Sequence, residues 1–196
     1  MKNNLMFFYY RDLRLIVLSM ILASSLFAQD TTEQINPLTK NDPSQYKKPY
    51  VILISADGFR ADFAEKYDAT FLQTISQNGV RAKYMQPSYP SVTFPNHYTI
   101  VTGLYPSHHG LVDNTYIDVP TGLQYSMANK KMVSEGKWYG GTPLWVLAEQ
   151  QKMLSASFFW VASEADIQGI KPTYHYIYND KTNIGTRIQA VKNWLM

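Results

Sequence analysis

The sequence has 196 residues, 45% of them hydrophobic and 14% aromatic, which excludes a disordered chain and suffices for one globular domain with a core. Its charges are scattered, with no basic run beyond the pairs Lys47-Lys48 and Lys130-Lys131, so a phosphate-neutralising surface for nucleic acid is not indicated. Cysteine is absent, which excludes disulfides and a lipoprotein anchor cysteine.

The first 28 residues place Lys2, Arg11 and Arg14 ahead of an apolar run over 15–22, followed by small residues up to Ala28. That order is expected of a secretory signal peptide, and the run is short for a membrane span. Leu26 is bulkier than the usual residue three before a cleavage site, so an uncleaved membrane anchor is the alternative. Without residues 1–28 the net charge falls from +3 to +1, and a disulfide-free exported chain fits a periplasmic or secreted protein.

Residues 29–49 are polar, carry Pro37, Pro43 and Pro49, and read as a linker. Residues 50–54, "YVILI", form a continuous apolar run that predicts a strand buried on both faces of a parallel sheet, ending at Asp57-Gly58. "DATFLQTISQNG" predicts a helix closed by Asn78-Gly79, and "VRAKYMQ" a strand after it. Pro90 and Pro95 bias Tyr89 and Phe94 away from the α region, and Pro95 also suits a first helical turn. "PNHYTIVTG" then predicts a short helix closed by Gly103, with Thr93 near its N-cap. Thr142-Pro143 open the predicted helix "PLWVLAEQQ", which leads into the strand "MLSASFFW". Ile184, Ile188, Val191 and Leu195 mark a final helical stripe. Alternating strands and helices imply an α/β fold with a mostly parallel sheet. The chain stops inside the last helical pattern, so residues 50–196 read as the N-terminal part of a longer catalytic domain.

Open parallel sheets place ligands beyond the carboxyl ends of their strands, where Asp57 is expected. It is either a metal ligand there or a turn aspartate capping the next segment. Thr93, at a helix start, faces backbone N–H groups that favour an anion. Its hydroxyl is a poor nucleophile until a base or a metal activates it, and the alternative is a simple N-cap. A carboxylate at the strand end can share a divalent cation with it. His108-His109 are adjacent, so their side chains diverge and a structural role is expected. His97 lies in the first helical turn, placed to orient the Thr93 loop. Asn114 is either a neutral donor for a phosphoryl oxygen or an Asx-turn residue.

Together, "VILISADGFR", "PSVTFPNHYTIVTGLYPSHHG", "DNTY" and "FWVASEADIQGIKPTYH" resemble the type I phosphodiesterase/nucleotide pyrophosphatase family of the alkaline phosphatase superfamily, from about Tyr50 onward. The resemblance implies a three-layer α/β/α sandwich, two zinc ions and hydrolysis of phosphodiester or nucleotide pyrophosphate bonds through a covalent phosphothreonine. It implies that Asp57 binds one zinc, that Thr93 binds the same zinc and attacks phosphorus, and that Asn114 stabilises the phosphoryl oxygens. Phe94 would line the pocket for the leaving nucleoside or other group, and the substrate would be a nucleotide or another small phosphodiester. The family's remaining zinc ligands are an Asp and a His of one later motif, an adjacent Asp-His pair and a distant His; none has a counterpart here. Where "FWVASEADIQG" stands, relatives often show Trp-Pro-Gly-Ser, so Val161-Ala162 departs near the substrate side and leaves specificity open. Two other readings stand beside this one. One is a relative acting on phosphomonoesters, phosphonates or phospholipid head groups. The other is a non-catalytic fragment, because a catalytic zinc takes about three protein ligands and Asp57 and Thr93 supply two.

Overall fold

The computed structural model describes residues 32–36 and 41–196; the signal-peptide reading of residues 1–28 lies outside them. In chain order the elements are β1 (Glu33–Ile35), α1 (Phe63–Lys66), α2 (Thr70–Asn78), α3 (Thr93–Thr102), α4 (Pro106–His109), β2 (Thr115–Asp118) and β3 (Leu123–Ser126). There follow α5 (Lys130–Val133), α6 (Leu144–Gln150), β4 (Ala156–Phe158), β5 (Tyr174–Tyr176) and α7 (Ile184–Trp194).

Tyr98 and Val101 recur at helical spacing on α3 and turn one stripe of that helix into an aromatic core. Tyr125, Trp138, Tyr139, Trp145 and Ile167 complete it, with Phe94, Tyr116 and Trp160 packed at its margin. The tyrosine hydroxyls find partners inside: Tyr98 donates to the Gly140 carbonyl at 3.0 Å, and Tyr139 donates to the Val133 carbonyl at 2.9 Å. Beside this core β2 and β3 form an antiparallel hairpin in which Tyr116 stacks on Tyr125, ring centres 5.2 Å apart.

A second sheet has the order β1-β5-β4, with β4 parallel to β5 and β1 antiparallel to it. Phe158 and Tyr176 lie opposite each other and stack at 4.3 Å. Trp194 closes α7 onto both rings and donates its indole N–H to the Glu33 carboxylate. Glu149, near the end of α6, ties the sheet's start together: its Oε1 accepts from the N–H and hydroxyl of both Ser155 and Thr173.

Several expectations change. Residues 50–54 do not form a buried strand; they are 49% to 88% exposed. No strand lies beside them among the described residues, and a run of this kind is buried only when neighbours flank both edges. Residues 80–86 are likewise unpaired rather than a strand. The stretch read as a linker contributes β1, and the Asp42 N–H donates to the Lys152 carbonyl at 3.0 Å, so its described part is docked. Pro143 is itself the extended N-cap of α6, replacing the Thr142-Pro143 pair. The strand expected over "MLSASFFW" shortens to β4 because Phe159 turns to φ +65°. In α7 the stripe faces outward at Ile184 and Ile188, and the helix is held by Ala190 and Trp194 instead.

Candidate active site

α3 starts two residues ahead of the predicted "PNHYTIVTG": Phe94, expected outside the α region, is already helical, and Pro95 sits in the first turn, where its missing N–H costs no hydrogen bond. Val92 is the extended N-cap, Thr93 is the first helical residue, and Gly103 ends the helix at φ +68°, a conformation an L side chain resists. The Thr93 hydroxyl donates to Asp57 Oδ2 at 3.0 Å, so the two residues singled out at the sheet's expected carboxyl edge do meet. Asn114 joins them. Its Oδ1 accepts the Phe94 N–H at 2.9 Å, satisfying one of the orphan amides of the helix start. That contact identifies the oxygen of the amide and leaves its Nδ2 hydrogens available as donors. The Phe94 ring leans on Tyr125 at 6.5 Å.

His97 is drawn in as well, with Nδ1 2.9 Å from the Thr93 carbonyl oxygen and Nε2 2.9 Å from Ser55 Oγ. The histidine pair diverges as its adjacency demands: His108 is exposed and His109 is wholly buried. Burial pushes the His109 imidazole down to about 4. It belongs to a polar network under the loop that leads into α3. Thr99 Oγ1 lies 3.0 Å from His109 Nε2 and accepts from Ser88 Oγ at 3.2 Å, while the Ser88 N–H donates to Asn96 Oδ1 at 3.0 Å. Ser55, Ser88, Asn96 and Thr99 were not singled out in the sequence. Asn96 and Thr99 are three residues apart on α3, so their side chains share one face of the helix.

A carboxylate and a hydroxyl 3.0 Å apart, both with unshared lone pairs, are a donor set that suits one shared divalent cation. Two donors would fill only part of a coordination shell, and among the described residues no group of three or more His, Cys, Asp or Glu converges. A shallow hollow of about 800 Å³ beside Gln124, Asn129 and Lys131 contains none of these residues. No helix of the described residues is long and apolar enough to cross a membrane.

Residues 51–196 match the model of the type I phosphodiesterase / nucleotide pyrophosphatase family. Ectonucleotide pyrophosphatase/phosphodiesterase family member 1 of Mus musculus is 37% identical over 171 residues, covering 86% of this chain and 18% of that protein. The venom phosphodiesterase of Macrovipera lebetinus is 40% identical over 155 residues, again 18% of its length and 78% of this chain. Among solved structures, murine ectonucleotide pyrophosphatase / phosphodiesterase 5 superposes with a TM-score of 0.68 at 28% identity, covering 71% of this chain and 38% of its own. An inactive threonine-to-alanine form of that murine protein, in complex with AMP, gives 0.69 at 28% identity, covering 72% and 38%. The α/β architecture is thus the alkaline-phosphatase-like fold of these neighbours, and the chain spans a minor part of each relative's length.

Proposed function

The chain belongs to the type I phosphodiesterase / nucleotide pyrophosphatase family, and from that membership we propose that it carries the nucleophile side of a hydrolase for phosphodiester or nucleotide pyrophosphate bonds. The observation that carries the reading is the 3.0 Å contact of Thr93 Oγ1 with Asp57 Oδ2 at the N-terminus of α3. A nucleotide substrate is supported by the AMP complex of the murine relative. Export, as the N-terminal charge and apolar order suggests, would put the activity outside the cytoplasm.

Zinc bound by Asp57 and Thr93, with further donors, would supply the positive charge that lowers the hydroxyl pKa and makes an alkoxide available near neutral pH. The chain's own residues then do the rest. Thr93 Oγ1 forms a bond to phosphorus while the bond from phosphorus to the leaving oxygen breaks. The phosphoryl oxygens face the helix N-terminus and the Nδ2 donors of Asn114, which gather the charge that develops on them. Water then attacks phosphorus from the vacated side, the Oγ1–phosphorus bond breaks, and the hydroxyl of Thr93 is restored.

The test separates nucleophile from ligand. In the full-length protein, Thr93→Ala should lower turnover by about a thousandfold or more, because the attacking atom is gone, while most of the zinc is retained. Asp57→Asn should lower zinc content and rate together, because it removes a negative charge from the ion's shell. Zinc stoichiometry measured beside steady-state kinetics reads both. Near-wild-type turnover by Thr93→Ala, or a trapped phosphoryl group mapped to another residue, would overturn the proposal.

A further inference from the structure

Segment 50–58 carries Asp57, and among the described residues no strand ladder holds it in place. Among the described residues, two side-chain hydrogen bonds join it to α3: Thr93 to Asp57, and Ser55 to His97. The second ends on a histidine whose other nitrogen holds the peptide of Thr93 itself. A carbonyl oxygen has no proton to give, so Nδ1 carries the hydrogen and donates it to the Thr93 carbonyl. In the neutral ring Nε2 is then the acceptor, and the Ser55 hydroxyl donates to it. Trp160 restrains it from a third side: its ring meets the imidazole edge-on at 5.8 Å, and its indole N–H donates to the His97 carbonyl at 3.2 Å.

We infer that His97 is a positioning residue that clamps the Asp57 segment to the Thr93 turn through Ser55. The role rests on the reading of Thr93 as the nucleophile. A single hydrogen bond between two segments lets one pivot about the other, whereas a second bond fixes their relative orientation. His97 follows Thr93 by four, the step that returns a side chain to the same face of a helix, and Ser55 lies two residues before Asp57. The clamp therefore lies alongside the Thr93–Asp57 pair and sets the direction from which the carboxylate approaches the hydroxyl. Small errors in that direction are expensive, since productive attack needs the reacting atoms held in a narrow range of distance and angle.

The test compares Ser55→Ala, Ser55→Thr and Thr93→Ala in the full-length protein, with a p-nitrophenyl phosphodiester as substrate. Long-range proton–nitrogen NMR correlations of the histidine rings are recorded on the metal-free wild type. The expected result is an Nδ1–H tautomer at His97 and a roughly tenfold fall in kcat for Ser55→Ala, with KM within about twofold. Ser55→Thr, which keeps the hydroxyl, should return most of the rate. An Nε2–H tautomer at His97 overturns the clamp. So does an unchanged kcat in Ser55→Ala when Thr93→Ala has abolished turnover, and that outcome leaves the nucleophile standing. Wild-type turnover by Thr93→Ala removes the nucleophile reading and the clamp with it.

Discussion

A histidine with no exposed surface makes a definite statement about pH. At His109 the Leu111 N–H donates to Nδ1 at 3.2 Å, and Nε2 lies 3.0 Å from Thr99 Oγ1, so the neutral ring already uses both nitrogens. A second proton on Nδ1 would point at the Leu111 N–H, and the ring is fully buried, away from the solvent that would stabilise its charge. Burial therefore pulls the group from 6.5 down to about 4. Because the folded value is the lower one, the unfolded chain takes up a proton first as pH falls. The stabilisation is complete above 6.5 and is lost progressively down to about 4. Buried His175 on β5 shifts the same way, first through burial and then through Lys171, and adds to the loss in that direction. Chemical denaturation should show the wild type losing on the order of 2 kcal/mol between about pH 7 and about pH 5. The variant His109→Gln, which cannot titrate, should be less stable at neutral pH and show a flatter profile. An NMR titration of His109 centred above about pH 6 would refute the account.

At the scale of elements, the longer helices announced themselves, whereas the one-turn helices did not and only β4 among the strands was foreseen. The ends of α2 and α3 are written in local residues, Asn78-Gly79 and the span from Pro90 to Gly103, so no distant partner was needed to place them. Residues 50–54 carry an equally clear apolar pattern, but a strand also needs a neighbour, and that information is not in the segment itself. β1 was hidden for the opposite reason: "EQI" has no strand pattern of its own and is ordered by β5. The β2–β3 hairpin was legible in principle, since "DVPTG" supplies turn residues between "TYI" and "LQYS", and Gly122 does adopt φ +69°. The site divides in the same way. Thr93 followed from its place at a helix start, Asp57 from the end of a strand that does not form among the described residues, and Asn114 only as a donor or turn residue, whereas the Ser55–His97 bond spans 42 residues and is visible only in three dimensions. The turn after β4 offers a test of local chemistry, because Ala162 there holds φ +71° at 1% exposure. Glycine would relieve about 1 kcal/mol of left-handed strain and lose about 0.8 kcal/mol of buried methyl, so Ala162→Gly should stay within about 1 kcal/mol of wild type. Valine adds both a branched Cβ in a disfavoured conformation and volume in a filled space, so Ala162→Val should cost more than about 2 kcal/mol. Thermal denaturation of the two variants decides, and equal midpoints would show that the backbone there is not strained.

Taken as a whole, the molecule is unevenly packed along its length. Of residues 50–86 only Ala64 is buried, whereas the segment from α3 to β5 contributes every member of the aromatic core. The side chains of Tyr50, Val51, Ile54 and Val80 stand in solvent, and the backbones of 50–54 and 80–86 are unpaired. Such a surface combines two hazards, a large apolar patch and unpaired backbone N–H and C=O groups, each of which favours pairing with another chain. Local opening should follow the same division, because few buried contacts and exposed amides place a region at the low end of the stability range. In the 196-residue chain, amide exchange should therefore be fastest over 50–58 and 80–86 and slowest within α3, and limited proteolysis should cut the first two before the core. Sedimentation should show association that increases with concentration. Replacing Val51 and Ile54 together by lysine should suppress it, because the charge blocks such pairing and costs nothing in the core, which neither residue enters. A wild-type chain that stays monomeric at about 0.1 mM, with amides over 50–58 protected as strongly as those of α3, would mean that this segment is already sheltered by contacts within the chain.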